Sequence, residues 1–449
     1  MTQPIASAQA TGAPKAVLTT TDAIAIIVGL VIGAGIFRLP QLVAMNSANE
    51  AVFYGLWIAG GVISIIGALV YTELATAFPN AGGDYYFIQR AYGRDLSFLY
   101  AWARLAVITT GSIAVLAYTF GDYASNLLRL GPNSSSIWAA LAVIALTAIN
   151  VAGIRETKGT QNWLTLLEVA GVVAVIVTGI LLVAPASVPV AAAAPADPKP
   201  WTAGMPLAIL FVLFTYGGWN ESAYISAELK EHRSMVIALA GGLATVTILY
   251  LAVNYAYVRG LGLAGLAKSE TAAADLLRLA FGEAGSKAIS FIIAVSALTS
   301  INATIIVGAR SNYALGRDWP VFSWLGHWHD RTGAPRNSLL LQAAGALALI
   351  VAGAFTDKIE TMVNYTMPVF WFFFMLVGIG LFILRRKAPD TPRPFKVPLY
   401  PLTPIVFIAT CAYLFYSSVA YVKGGALVGL GVLGVGVILL LIGKNGRAK

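Results

Sequence analysis

Charge is what this chain has least of. Asp, Glu, Lys and Arg make up 11% of its 449 residues, against about 25% in soluble domains. That excludes an ordinary solvated globule. Its single cysteine, Cys411, excludes an intrachain disulfide and, lying in an apolar run, reads as packing. Only three histidines are present. Two of them, His327 and His329, flank Trp328 in a loop and read as surface, so no metal site is expected. No Gly-x-Ser-x-Gly, His-Glu-x-x-His or phosphate-loop pattern occurs, which argues against an enzyme and leaves no cofactor to expect. Residues 1–20 hold one lysine and no apolar core before a cleavage site, so no secretory signal peptide is expected.

What is present is hydrophobicity. Apolar residues make up 58% of the chain, with a mean hydropathy of +0.77. The fold class is therefore an all-α membrane protein embedded in a lipid bilayer. The net charge of +9 does not imply a nucleic-acid partner, because the basic residues fall in short loops between apolar runs. About twelve spans are expected, at 22–45, 51–77, 95–128, 137–153, 162–184, 204–228, 235–259, 284–314, 338–354, 359–385, 402–421 and 425–443. Of the 29 lysines and arginines, nineteen fall on the side of the N-terminus and eight on the other. Arg38 and Arg104 lie inside spans. The bias places both termini in the cytoplasm of a multi-pass protein of the cell membrane.

Two spans are interrupted by glycine. The first contains Gly29-Leu30-Val31-Ile32-Gly33-Ala34-Gly35-Ile36-Phe37. The sixth contains Phe214-Thr215-Tyr216-Gly217-Gly218-Trp219-Asn220. Glycine weakens a helix by about 1 kcal/mol relative to alanine, and lipid offers no water to a freed backbone group. Close helix packing, as in Gly29-xxx-Gly33, is one explanation. A pair of broken spans in corresponding halves is also the sequence mark of a transporter site. The chain divides accordingly: tail 1–21, spans one to five at 22–184, a low-complexity link at 185–203, spans six to ten at 204–385, a basic loop with two last spans at 386–443, and tail 444–449. An odd number of spans per set gives the two sets opposite orientations, as an inverted 5+5 repeat requires. The proline-rich stretch 385–401 reads as a solvated loop near anionic lipid, and 78–98 as an ordered re-entrant or interfacial piece.

A broken helix offers amides at one end, which suit an anion, and carbonyls at the other, which suit an ammonium group or Na⁺. Two such breaks side by side make a dipolar pocket for a zwitterion. The two motifs resemble those of the amino acid–polyamine–organocation superfamily, close to its L-amino acid transporter branch. Glu73 with Phe78-Pro79 and Gly82-Gly83-Asp84-Tyr85, Ala227-Glu228-Leu229-Lys230 after the sixth break, and Arg310 with Tyr313-Ala314-Leu315-Gly316-Arg317-Asp318 extend the resemblance. It implies a LeuT-type fold with helices 1 and 6 broken. It also implies secondary transport of amino acids by alternating access, with neutral L-amino acids as the substrate. Cationic amino acids or polyamines, and a channel or substrate sensor, are the alternatives.

The resemblance implies substrate binding at Val31, Ile32, Gly33, Ala34, Gly35, Phe214, Thr215, Gly217 and Gly218. Carbonyls of Val31, Phe214 and Gly217 would take the amine, and amides at Gly33, Ala34 and Gly35 the carboxylate. Phe214, Trp219 and Arg38 are the expected gates. Ala34 departs from the family, which often has serine there. Glu168 stands where the family commonly has lysine. An ionisable residue at mid-membrane is a functional candidate, and Glu168 is the expected coupling residue, either carrying H⁺ or attracting a cation. Ser296, Thr299 and Ser300 form a candidate Na⁺ site, and helix–helix hydrogen bonding is the alternative for them. Glu221 is a further candidate, for substrate or for pairing with Arg104 or Arg38.

Overall fold

The structure, a computed structural model, describes residues 24, 27–28, 31–80, 82–153, 158–186, 201–220, 232–329, 332–356, 358–422 and 424–445. Thirteen α-helices are present among them: α1 (Leu39–Met45), α2 (Glu50–Ala77), α3 (Gly83–Tyr92), α4 (Arg94–Leu127), α5 (Ser134–Val151), α6 (Lys158–Val177), α7 (Trp201–Thr215), α8 (His232–Lys268), α9 (Ala272–Asp318), α10 (Arg336–Gly353), α11 (Lys358–Lys387), α12 (Leu402–Val422) and α13 (Gly424–Asn445). Eight helices among the described residues are long and apolar enough to cross a bilayer, and Leu166–Leu182, Gly204–Thr215 and Leu427–Ile442 are shorter apolar helices. The expected first span, the link at 185–203, both tails and Glu221 lie wholly or partly outside the described residues.

Local sequence sets the helix ends. Asn49 caps α2, its side chain accepting from the Val52 amide at 2.9 Å, and Pro40 opens α1. The expected ordered piece between the second and third spans is α3, joined to α4 by Gly93 at φ 97. That left-handed conformation suits glycine. Burial, and then a hydrogen bond to Asp318, raises the pKa of the Tyr85 phenol. The phenol therefore stays a donor and ties α3 to the end of α9. Positive φ at Gly262 and Gly282 bends α8 and α9 near their junction.

Small residues let the helices approach. A Cβ at Gly60 would collide with Val212 of α7, and one at Gly67 with Trp219 and Phe407. α2 is thereby wedged between the end of the second break and α12. Helices pack in pairs that join the two halves of the chain: α1 with α7, α2 with α8, α4 with α9, and α5 with α10.

Two helices contain a widened π turn, at Arg104–Ile108 in α4 and at Thr178–Leu182 after α6. Such turns free backbone carbonyls. At the second, Arg259 of α8 donates to the carbonyls of Gly179 and Val183.

The basic stretch after α11 is largely exposed, as expected of a solvated loop, but it is also anchored to the bundle. Glu73, fully buried near the end of α2, accepts from Arg385 in two parallel bonds of 2.8 and 2.6 Å. The Val397 amide donates to it at 2.7 Å, and Arg393 Nε lies 3.5 Å away. Arg393 also donates to the carbonyls of Leu384, in the last turn of α11, and of Ala388, just beyond it. Two of the five basic residues thus strap 388–397 onto the bundle, because a buried carboxylate requires paired cations. Glu73→Gln keeps the shape but leaves both guanidinium groups facing a neutral amide. It should cost about 1–3 kcal/mol, read as a lower melting temperature of the purified protein. An unchanged melting temperature would show that the strap contributes no stability.

Candidate functional site

The first break begins where a helical stretch ends at Val31. Gly33 is extended (φ −128, ψ 179), and the chain restarts as a short 3₁₀ turn, Ala34–Phe37, with no side-chain cap. Its first bond is Ile36 N to Gly33 O at 3.4 Å. The Ala34 and Gly35 amides precede that bond and have no intrahelical acceptor. Arg38 (φ −123, ψ −43) separates the turn from α1. The second break follows α7. Gly217 N bonds back to Phe214 O at 3.0 Å, and Gly218 takes φ 106, which ends the helix.

Tyr250 of α8 joins the breaks. Its hydroxyl donates to the Val31 carbonyl at 2.8 Å and lies 3.1 Å from the Thr215 carbonyl. Both half-helices therefore end beside one phenol. The Val31 and Phe214 carbonyls each have a partner already, which leaves one lone pair apiece for a ligand.

A cavity of about 400 Å³ opens from this junction, within the range of small-molecule sites. Its wall at the breaks is Val31, Ile32, Gly33, Gly35, Phe214, Thr215, Gly217, Gly218 and Asn220. α4 adds Ile108, Thr109, Ser112, Val115 and Leu116, α9 adds Thr299, Ser300, Ala303 and Thr304, and α11 adds Phe370, Phe373 and Phe374. Asp84, Tyr100 and Arg104 line the end beyond the π turn. A Cβ at Gly33 would meet nothing within 4 Å, whereas one at Gly35 would face Leu39 and Thr215. Gly33 is therefore not a close-packing position. Ala34 is fully buried and, unlike Gly33 and Gly35 on either side of it, is not among the lining residues, so the structure does not bring this expected site residue to the cavity.

Glu168 of α6 also lines the cavity. It is 8% exposed, and Ser296 of α9 donates to its Oε1 at 2.7 Å. Thr299 and Ser300 face the cavity, while Ser296 faces the carboxyl. Asn302, on the same helix, accepts from Asn150 of α5 at 2.6 Å.

The expected gates sit in three different settings. Phe214 lines the cavity and is half-buried. Trp219 does not line it. The indole packs against Tyr71, Phe374 and Phe407, with ring centroids 5.1–6.4 Å apart. Arg38 lies beyond the break and pairs with Asp122 of α4 at 2.7 Å. Both are buried. Ser135 of α5 donates to the other oxygen of Asp122 at 2.5 Å, Arg38 also donates to Gln41, and Tyr123 donates to the Phe37 carbonyl at 2.8 Å. Neither Arg38 nor Asp122 lines the cavity, and their ionic contact lies beyond the first break.

Asp122 and Tyr250 are not anticipated from the sequence, and Asp84 only as part of the loop motif that carries the family resemblance. Asp122 carried a signal, as an ionisable residue inside the expected third span. Tyr250 carried none, since aromatics are common in spans. His327 and His329 are exposed, and no group of three possible metal ligands occurs among the described residues.

A family model described as amino acid permease matches residues 18–438. The large neutral amino acids transporter small subunit 2 of Mus musculus is 29% identical over 463 aligned positions, covering 100% of this chain and 85% of that protein. The b(0,+)-type amino acid transporter 1 of Mus musculus is 27% identical, covering 88% and 81%. The serine/threonine exchanger SteT of Bacillus subtilis (strain 168) is 27% identical, covering 88% and 89%.

Proposed function

The chain belongs to the amino acid permease family, and from that premise we propose that it is a secondary carrier moving neutral L-amino acids across the cell membrane by alternating access. The observation that carries this reading is the junction of the two breaks on one cavity of about 400 Å³. The unbonded amide at Gly35, on the cavity wall, suits the α-carboxylate, and the carbonyl ends at Val31 and Phe214 suit the α-amine. A purely apolar solute would leave those groups unpaired, at about 1–3 kcal/mol each. Relatives named for neutral amino acids and for serine and threonine support the same substrate class. The buried carboxyl groups at Glu168 and Asp84 favour cationic amino acids as the second reading.

The paired packing of α1 with α7, α2 with α8, α4 with α9 and α5 with α10 supports the inverted 5+5 repeat. Helices that touch their own symmetry mates straddle the two-fold axis of such a fold. The lysine and arginine bias places the Asp84 end in the cytoplasm and the Arg38 end outside. This conformation is then closed outside by Arg38–Asp122, with the cavity running inward.

Uptake of a panel of twenty amino acids and putrescine into liposomes, preloaded or empty, tests the function. Saturable uptake of neutral amino acids, stimulated by preloading, is expected. Unsaturable flux would indicate a channel, and preference for lysine, arginine or putrescine the second reading. Gly33→Val tests the site. The extended backbone accepts valine, and the side chain enters open space in the cavity. Substrate affinity should fall roughly tenfold or more, as overpacking costs about 1–3 kcal/mol, with no change in thermal stability. Unchanged affinity would remove the first break from the binding site.

A further inference from the structure

Two ties fix how α8 lies against the first break. Tyr250 donates to the Val31 carbonyl, just before the break. Gln41 of α1 donates to the Ala267 carbonyl, near the end of α8, at 3.4 Å. Between these ties α8 runs beside Val31–Gln41, the stretch that holds the break, the 3₁₀ turn and Arg38. Asn254 and Tyr257 fall in that interval, four and seven residues after Tyr250, and so share its face of the helix. Tyr257 also lies within electrostatic reach of Tyr123 of α4, whose hydroxyl donates to the Phe37 carbonyl. Asn254 and Tyr257 therefore sit at the seam between α1, α8 and α4.

Both residues are fully buried, and neither lines the cavity. The Asn254 side-chain nitrogen donates to the Tyr250 carbonyl at 2.7 Å. Among the described residues its Oδ1 has no hydrogen-bond partner, and neither has the Tyr257 hydroxyl. Such groups are rare in native interiors, and each raises the free energy of the state that buries it. Leucine and phenylalanine would fill the same space without that cost, so packing alone calls for neither group.

The cost has a counterpart on the same segment. The buried Arg38–Asp122 contact ties the start of α1 to α4, and a carrier that cannot break such a contact cannot complete a cycle. When α1 leaves α4, water enters the seam and reaches Asn254 and Tyr257. Their penalty then falls on the closed conformer and is relieved in the open one. Building on the carrier reading, we propose that Asn254 Oδ1 and the Tyr257 hydroxyl are a counterweight to the Arg38–Asp122 contact. They raise the conformer closed at the Arg38 end enough for it to reopen.

Asn254→Leu and Tyr257→Phe remove the two groups and nearly keep their shapes. The test is labelling of full-length Ser112→Cys, Cys411→Ala protein in intact cells by a membrane-impermeant thiol reagent added outside, with Asp122 present and again with Asp122→Ala. Each variant should slow labelling by roughly fivefold or more and raise the melting temperature of the purified protein. Tyr255→Phe, at an exposed tyrosine on another face of α8, should change neither. Unchanged or faster labelling in either variant overturns the proposal, even with a higher melting temperature, because the groups would then cost both conformers alike. A lower melting temperature in both variants also overturns it, since truncation destabilises a group that has a partner. Labelling needs no substrate. An absence of uptake would therefore remove the carrier reading without changing the labelling result, and a failure of the counterweight would leave uptake intact.

Discussion

An Asp122→Ala variant is expected to open at the Arg38 end. The Arg38–Asp122 contact is 2.7 Å long, with side chains 6% and 2% exposed. Breaking a buried pair by removing one partner costs about 3–5 kcal/mol, because the remaining charge is stranded. Here the stranded group is Arg38, with Gln41 as a neutral neighbour. The protein has an escape that a rigid core lacks. If α1 swings away from α4, Arg38 reaches water and the penalty is relieved. The conformer closed at this end should therefore lose population by a factor on the order of 10²–10³ relative to the open one. A cysteine at Ser112, on the cavity wall, reports this in a Cys411→Ala background. A membrane-impermeant thiol reagent added outside should label it slowly in the parent and fast in Asp122→Ala. Equal labelling with a much lower melting temperature would make the pair structural. Arg38→Met with Asp122→Leu, which strands no charge, should recover stability without restoring closure.

How much of this was legible beforehand follows from the kind of signal each feature leaves. The breaks were readable because glycine in an apolar span has few explanations, and the structure interrupts the helices at Ile32–Gly33 and at Tyr216–Gly218. Glu168 was readable because a carboxyl in lipid is rare. The direction in which each wall residue points was not. Trp219 follows the second break in sequence, yet helical geometry turns it toward Tyr71 and Phe407, away from the cavity. Gly33 and Gly35 look interchangeable as letters, but only Gly33 has open space at its Cβ position.

Long-range pairing was the larger loss. Glu73 and Arg385 are 312 positions apart, and Arg38 and Asp122 are 84. Each can be suspected alone, but a single sequence does not say which cation meets which carboxylate. The proline-rich strap shows the consequence. Its charges suggest solvent and lipid headgroups, yet its strongest contact is to a carboxylate with no exposed surface.

Replacing Glu168 by glutamine should separate substrate exchange from any response to a proton gradient. The carboxyl faces the cavity, and among the described residues it accepts a hydrogen bond from Ser296 at 2.7 Å. An ionised carboxylate this deep costs about 2.5–3.5 kcal/mol on insertion scales unless paired. Taking up a proton removes that cost, so the two charge states favour different surroundings and hence different stages of a transport cycle. Glutamine keeps the shape and can still accept from Ser296, but its charge cannot change. If a proton on Glu168 drives uptake, the variant should exchange substrate for substrate at close to the parental rate. It should also lose essentially all stimulation by an inward pH gradient. If the carboxyl instead holds Na⁺ with Thr299 and Ser300, the variant should lose dependence on Na⁺ and keep its pH profile. Uptake by parent and variant, side by side in liposomes at several external pH values with and without Na⁺, separates the two. A well-folded Glu168→Gln protein with both dependences unchanged would assign the Glu168–Ser296 bond to packing of α6 on α9. It would leave obligatory exchange as the account of what drives the cycle.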